Sequence, residues 1–394
     1  MQSALQARSK LPDVGTTIFT VIGQLAAEHN ALNLSQGAPN FSPDEALVDG
    51  VTKAMRAGHN QYAPMEGLAV LRERIAAKLK SCYAVMRDPE SEITVTLGAT
   101  EAIFSAIQAV VGAGDEVIAF DPAYDSYEPA VRLAGGRCVR VPLTQPGFRY
   151  DWDRVRTLVT ARTRLVLFNS PHNPACTTAS AADLDALAAL VRDCGALVLS
   201  DEVYEHVVFD GASHHSVLRH PELARCSFAV FSFGKTLHAT GMRVGYCVAP
   251  PQLTAELRKV HQFNTFSISN ALQHAIATYL AAAPDSGGAL AAFFQSKRDR
   301  LRRALAGSGF VLPAAQGTYF QLLDFSAFAP ADDLAFAERL LTEGGVASIP
   351  LSPFYEVPQP LPFVRLCIAK KDSTLDEAAL RLNAFASRLR GAPR

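Results

Sequence analysis

Residues 180–204, SAADLDALAALVRDCGALVLSDEVY, contain the unit whose reading decides the fold. Ser180 with Asp183 opens a helical pattern over Ala181–Cys194, and Gly195 closes it. The apolar run Ala196-Leu197-Val198-Leu199 follows without alternation, the mark of a strand covered on both faces. It ends in polar residues, Ser200-Asp201-Glu202-Val203-Tyr204.

The same unit recurs on either side. Glu92–Leu97 reads as a strand, and Ala99–Val111 as a helix with Ile103, Ala106, Ile107, Val110 and Val111 on one face. Further strands are expected at Val117–Phe120, Arg137–Val141, Leu165–Phe168, Phe228–Phe231 and Val244–Val248. Such alternation predicts an α/β fold, an open and largely parallel sheet with helices on both sides. After about residue 280 the pattern changes. Ala283–Gly288 reads as a boundary, followed by a helix from about Ala289 with Lys297, Arg298, Arg300, Arg302 and Arg303 on its polar side. Strands at Thr318–Leu323 and Phe363–Ile368 come next, then an amphipathic helix from Thr374 whose Glu377 completes a capping box. The expected division is residues 1–45 as an N-terminal arm and part of the small domain, 46–280 as the large domain, and 281–394 as a smaller α+β domain.

Composition narrows the function. The chain has 394 residues, 49% of them hydrophobic and 19% charged, with a mean hydropathy of +0.10. That is core material for a multi-domain protein, not a disordered one. Lys plus Arg (37) nearly balances Asp plus Glu (38), so a nucleic-acid partner, which calls for a basic excess, is not expected. No apolar stretch approaches the ~20 residues that cross a bilayer, and the first ten residues lack a hydrophobic signal core. Seven scattered cysteines (82, 138, 176, 194, 226, 247, 367) read as small core residues in a reducing cytoplasm. No metal site is expected, and His214-His215 reads as a polar loop.

Ligands of open α/β sheets sit beyond the carboxyl ends of the strands. Five consecutive ends are polar: Gly98-Ala99-Thr100-Glu101, Asp121-Pro122-Ala123-Tyr124, Asn169–Pro174, Ser200–Tyr204 and Ser232-Phe233-Gly234-Lys235-Thr236. Lys235 could be a solvated surface lysine. It could close a phosphate loop, but the glycine that loop needs six residues earlier is Ala229. A third reading is an amine that condenses with a carbonyl cofactor. Pyridoxal phosphate would find an acidic partner for its ring nitrogen in Asp201 and donors for its phenolic oxygen in Tyr204 and Asn173. Its phosphate would find the helix start Gly98-Ala99-Thr100, Ser232 and Arg243, and its ring a stacking partner in Tyr124.

With these residues assembled, the sequence resembles the class I, fold-type I pyridoxal phosphate aminotransferases. Ser200–His206, Ser232–Thr236 and Thr240-Gly241-Met242-Arg243-Val244-Gly245-Tyr246 match the family signatures, and the similarity runs from Asn33–Gly37 to Arg365–Cys367. Within the class the resemblance is to bacterial methionine aminotransferases and the kynurenine aminotransferase/glutamine transaminase K branch, through Asn60–Pro64, Phe120–Tyr127 and Gly245–Pro250. The resemblance implies a large domain with a mostly parallel seven-stranded sheet covered by helices, plus a smaller α+β domain. It further implies ping-pong transamination in a cytoplasmic homodimer with shared active sites. Lys235, Asp201 and Tyr204 would be the catalytic residues, and Tyr62 would reach the cofactor phosphate of the neighbouring subunit. Arg365 would grip the substrate carboxylate beside Gly37 and Asn173.

The chain also departs from the family pattern. Met242 replaces a usual tryptophan, Ala38 a bulky apolar residue, and Asn173-Pro174-Ala175-Cys176 the common Asn-Pro-Thr-Gly. No arginine occurs between Arg258 and Arg298, where the aspartate-specific branch carries one, and Ile18, Phe19, Tyr124 and Phe354 are expected in the side-chain pocket. These features point to an uncharged, sulfur-containing or aromatic L-amino acid such as methionine. The alternative is a kynurenine or glutamine transaminase with C–S β-lyase activity toward cysteine conjugates.

Overall fold

Most strands of the central sheet are buried on both sides, and successive residues serve opposite faces. The computed structural model describes residues 9–282, 286–328 and 332–391. Seven strands, β1 (Ile93–Thr96), β2 (Glu116–Asp121), β3 (Arg137–Pro142), β4 (Thr163–Asn169), β5 (Leu197–Asp201), β6 (Ser227–Ser232) and β7 (Gly245–Val248), form one sheet in the order β1-β7-β6-β5-β4-β2-β3. Only β7 runs antiparallel to its neighbours. On one face Val117, Ala119, Leu165, Leu167, Leu199, Phe228 and Val230 pack with Ile103, Ala106 and Ile107 of α1 (Gly98–Val110). On the other, Ile118, Phe120, Val166, Phe168, Val198, Ala229 and Phe231 pack with Leu184, Leu187 and Val191 of α2 (Ala181–Cys194). Each such side chain contributes ~1.5–3 kcal/mol of burial, so a strand displaced by one residue would lose both faces together.

Helix α2 begins and ends where its sequence says. Ser180 and Asp183 make the reciprocal capping box, and Gly195 takes a left-handed φ of 72°. The C-terminal helix does not. It spans Asp372–Gly391, so Thr374 lies inside it, and the expected box at Thr374 and Glu377 does not form. The Thr374 hydroxyl accepts from Asn40 of the N-terminal segment, and Glu377 pairs with Arg381 at 2.7 Å.

A second sheet, antiparallel, orders Ile349–Pro350, Phe363–Cys367 and Phe320–Asp324. The short strand Leu32–Asn33 pairs in parallel with Val346–Ala347, and the Cys367 amide donates to Leu34. The expected boundary at Ala283–Gly288 falls partly outside the described residues, and the helix after it begins at Ser286 rather than near Ala289. Its Lys297 and Arg298 are not on a solvated face. Lys297 is buried against the Lys370 carbonyl and Asp372, and Arg298 ties Asp210 to the Ala315 carbonyl. Each long side chain is drawn inward because a carboxylate and a carbonyl wait there. Among the described residues no helix is long and apolar enough to cross a membrane.

Candidate active site

Parallel strands place their carboxyl ends along one edge of the sheet, and the register is close enough that neighbouring ends touch. Asn169 ends β4 opposite Asp201, which ends β5. The Asn169 side chain donates to the Asp201 carbonyl at 2.9 Å and accepts from the Asn173 amide at 2.9 Å. Strand β6 ends at Ser232 and passes into the single turn Phe233–Thr236 that carries Lys235. A cavity of about 140 Å³ opens over this edge, lined by Ala99, Thr100, Tyr124, Asn173, Asp201, Tyr204, Ser232, Lys235 and Arg243, among others. Every residue named here was expected at the site.

Gly98 sits behind the first of these. Its φ is 71°, and a Cβ there would lie 2.8 Å from the Arg243 guanidinium, so α1 can start against that cation only because the side chain is missing. Backbone N–H groups of α1 and the exposed Arg243 thus share one end of the cavity.

At the other end Asp201 accepts from the Tyr127 hydroxyl at 2.6 Å and, weakly, from the Val203 amide at 3.4 Å. Burial pushes its carboxyl above the usual range, against the opposing pull of Tyr127 and Lys235. Lys235 is also enclosed. Burial is the largest influence and works against its ammonium, yet the Tyr319 hydroxyl at 3.0 Å, Tyr124 and Cys367 together hold the group above an ordinary lysine. The surrounding protein groups thus favour its charged form.

A second opening of about 270 Å³ adjoins the first through Tyr124, Asn173, Tyr204 and Lys235, and adds Phe19, Gln36, Gly37, Ala38, Thr240, Phe320 and Arg365. Arg365 is 1% exposed, lies 3.8 Å over the Phe320 ring, and donates to the Asn173 side-chain oxygen and the Ser35 carbonyl. With its oxygen so engaged, Asn173 keeps its NH2 as a free donor. Phe19 lines this opening, but Ile18 and Phe354 do not. They pack behind it with Ile22, Leu341 and Ile349, because the backbone carbonyl of Phe354 is fixed by Ala123 and Arg140. Tyr62 stands apart, 82% exposed and against Phe266.

The structure adds residues the sequence does not announce. Tyr319 donates to the Gly37 carbonyl at 2.6 Å while its oxygen meets Lys235, yet in sequence it reads as small-domain core. Tyr127 falls in a recognisable motif, but no spacing says that its hydroxyl reaches Asp201. His214-His215 does lie in a loop, but the His214 side chain turns inward. It is buried and bonded to Glu202 at 2.7 Å, beneath the end of β5. Cys176, where the resemblance expects glycine, holds a φ of 62°, and its N–H donates to the His172 carbonyl at 2.8 Å. Met242 packs half-buried on the core.

Comparison with known proteins accounts for this arrangement. The family profile "Aminotransferase class I and II" matches residues 29–382. The chain is 50% identical over 375 residues to a methionine aminotransferase of Escherichia coli, covering 95% of this chain and 97% of that one. It is 31% identical to human kynurenine–oxoglutarate transaminase 1, covering 95% and 97%. A crystal structure from E. coli, described as having a methionine aminotransferase function, superposes with a TM-score of 0.95 at 49% identity, covering 96% of this chain and all of that one. A lysine-bearing turn at the edge of a mostly parallel seven-stranded sheet, and similarity over nearly the full length, establish that this chain belongs to the class I and II aminotransferases.

Proposed function

We propose that this aminotransferase holds pyridoxal 5'-phosphate in the cavity over Lys235 and moves the amino group of an uncharged L-amino acid, methionine foremost, to a 2-oxo acid. The residues present suit the cofactor. A cation and a helix start share one end, where Gly98 leaves the space a Cβ would fill, and the other end offers a buried carboxylate. When bound, the cofactor supplies an electrophilic aldehyde and a ring that accepts electrons. The α1 amides, Thr100, Ser232 and Arg243 would hold its phosphate, Asp201 the charge of its ring nitrogen, Tyr204 and Asn173 its phenolic oxygen, and Tyr124 its ring face. Lys235 Nζ would take the α-proton of the substrate and return it, as general base and then acid. Tyr204, Tyr124 and Phe320 line the opening beside that nitrogen.

Substrate class rests on one observation. Among the described residues, Arg365 is the only cation besides Lys235 that lines the second opening; the remaining wall is Phe19, Ala38, Tyr124, Phe320 and uncharged polar groups. Arg365 would bind the α-carboxylate beside Gly37, leaving nothing to pair with a second carboxylate. Arg258, the last arginine before the gap, is held by Thr94 and by the Glu90 and Ile93 carbonyls. A panel of amino acids, followed by the absorbance change of the loaded enzyme, should place methionine and phenylalanine at least tenfold ahead of aspartate. Aspartate in the lead would overturn the reading.

Arg365→Lys should raise KM for amino and oxo acids about 100-fold, because a point charge cannot reproduce the planar two-pronged grip. The absorption of the loaded enzyme should stay unchanged. An unaltered KM would remove Arg365 from the site.

The kynurenine or glutamine transaminase reading draws on the 31% identical human relative. Ammonia released from a cysteine conjugate without added oxo acid would favour it. The same proposal includes a cytoplasmic homodimer and the division of the chain at residues 45/46 and 280/281. Tyr62 (82% exposed) and Met55 (54%) line one open hollow, the kind of apolar surface an interface covers, and across such an interface Tyr62 would reach the neighbour's cavity.

A further inference from the structure

The Tyr319 hydroxyl has one proton; beside the neighbouring Tyr204 phenol, its partners are the Gly37 carbonyl and Lys235, and these determine where that proton goes. We propose that Tyr319 is a positioning residue that binds Lys235 only while the lysine nitrogen is a free amine, and so favours its release when substrate arrives. The proposal rests on the reading of Lys235 as the cofactor-linked lysine.

The Gly37 carbonyl, 2.6 Å from Tyr319 Oη, can only accept, so the phenolic proton points there. The contact to Lys235 Nζ at 3.0 Å must then be donated by the lysine. A free amine has two protons, an ammonium three, and all rotate about Cε–Nζ. A nitrogen doubly bonded to carbon keeps at most one, fixed in the plane of that bond. The exchange itself is balanced: C–Nζ breaks as a bond to the substrate nitrogen forms, and the two protons of that nitrogen end on Nζ. Tyr319 thus stabilises the product side of the exchange, where two or three rotating protons can reach its oxygen, over the other side, where at most one, held in plane, remains.

The placement is rigid. Tyr319 is fully buried, with Tyr204 edge-on at 5.0 Å and Phe294 at 5.4 Å. The preceding Thr318 holds a φ of 69°, an outlier for a β-branched residue, and its amide donates to Val207 at 2.8 Å. A Cβ on Gly317 would lie 2.8 Å from that same carbonyl. Strain of this kind persists only where the surroundings over-determine it. The hydroxyl also joins three parts of the chain: the Lys235 turn on the large sheet, the strand Phe320–Asp324, and the segment carrying Gly37.

The test compares two ligands on the loaded enzyme. α-Methyl-L-methionine displaces the lysine but has no α-proton to lose; 4-(methylthio)butanoate offers the same carboxylate and side chain with no amine. In Tyr319→Phe the first should bind about tenfold more weakly by absorbance titration, and the second within twofold of the parent by calorimetry. In cofactor-free protein the pH at which half of Lys235 is reductively methylated, read by mass spectrometry, should fall. Equal weakening of both ligands, or no change in either, overturns the proposal. Should phenylalanine disturb folding, 4-methylphenylalanine at 319 keeps the ring and fills the hydroxyl's place, with the same expected split. If α-methylmethionine left the absorption of the parent enzyme unchanged, the reading of Lys235 would itself be overturned; a missing split in a responsive enzyme overturns only Tyr319.

Discussion

Lys235→Ala loses turnover by about 10⁴-fold or more, and the loaded protein loses the visible absorption of the parent. The expected size follows from what the amine does. A positioned acid–base group contributes roughly 10²–10⁴-fold, and here the same nitrogen also forms the covalent link. The other titratable groups lining the cavity are poorly suited to replace it: Asp201 is engaged by the Tyr127 hydroxyl, and burial raises the Tyr124 and Tyr204 phenols above their ordinary range. The fold should survive, since Lys235 sits in a single helical turn after β6 and its side chain enters the cavity rather than the core. Stopped-flow and steady-state rates with methionine, beside circular dichroism, check both statements. A variant within tenfold of the parent would remove Lys235 from the chemistry.

Most of what places that lysine is legible in residue order. Strands β4, β5 and β6 are short apolar runs with polar ends, and such runs are local: their residues need no distant partner to be recognised. Helix α2 announces both its ends, because a capping box and a left-handed glycine act on neighbouring backbone groups. The reading weakens where one residue answers to a remote one. Lys297 and Arg298 have the spacing of a solvated face, but the Lys370 carbonyl and Asp210 lie 73 and 88 residues away and draw them inward. Thr374 reads as a helix cap until Asn40, 334 residues distant, binds its hydroxyl.

The site divides in the same way. Lys235, Asp201, Asn173 and Tyr204 follow strands, so the parallel register brings them together once the sheet is known. Tyr319 follows a turn in the small sheet, and its meeting with Lys235 depends on how two sheets pack. Ile18 and Phe354 have the right apolar character for a substrate wall; only packing shows that Phe19 stands in front of them.

Asp201→Asn should lower kcat about 10³-fold while KM for methionine changes less than fivefold. The substitution preserves volume, so the loss isolates charge. Burial makes the Asp201 carboxylate a reluctant anion, and such a group gains most from a cation placed against it. In the proposed site that cation is the protonated ring nitrogen, whose charge matters as negative charge spreads into the ring, so the benefit falls on the transition state rather than on substrate binding. A neutral amide cannot hold that proton. It also fits its neighbours less well: an amide can accept from Tyr127 or from Val203, but not from both at once. This second effect weakens the fold, by about 1–3 kcal/mol, but does not distinguish ground from transition state. The two contributions separate by experiment. Thermal unfolding reads the hydrogen-bond mismatch, and single-turnover rates with saturating methionine read the charge. Asp201→Glu supplies the control, since it restores the charge at a displaced position and should recover part of the rate. Equal loss in Asn and Glu variants would mean that shape, not charge, sets the contribution of this residue.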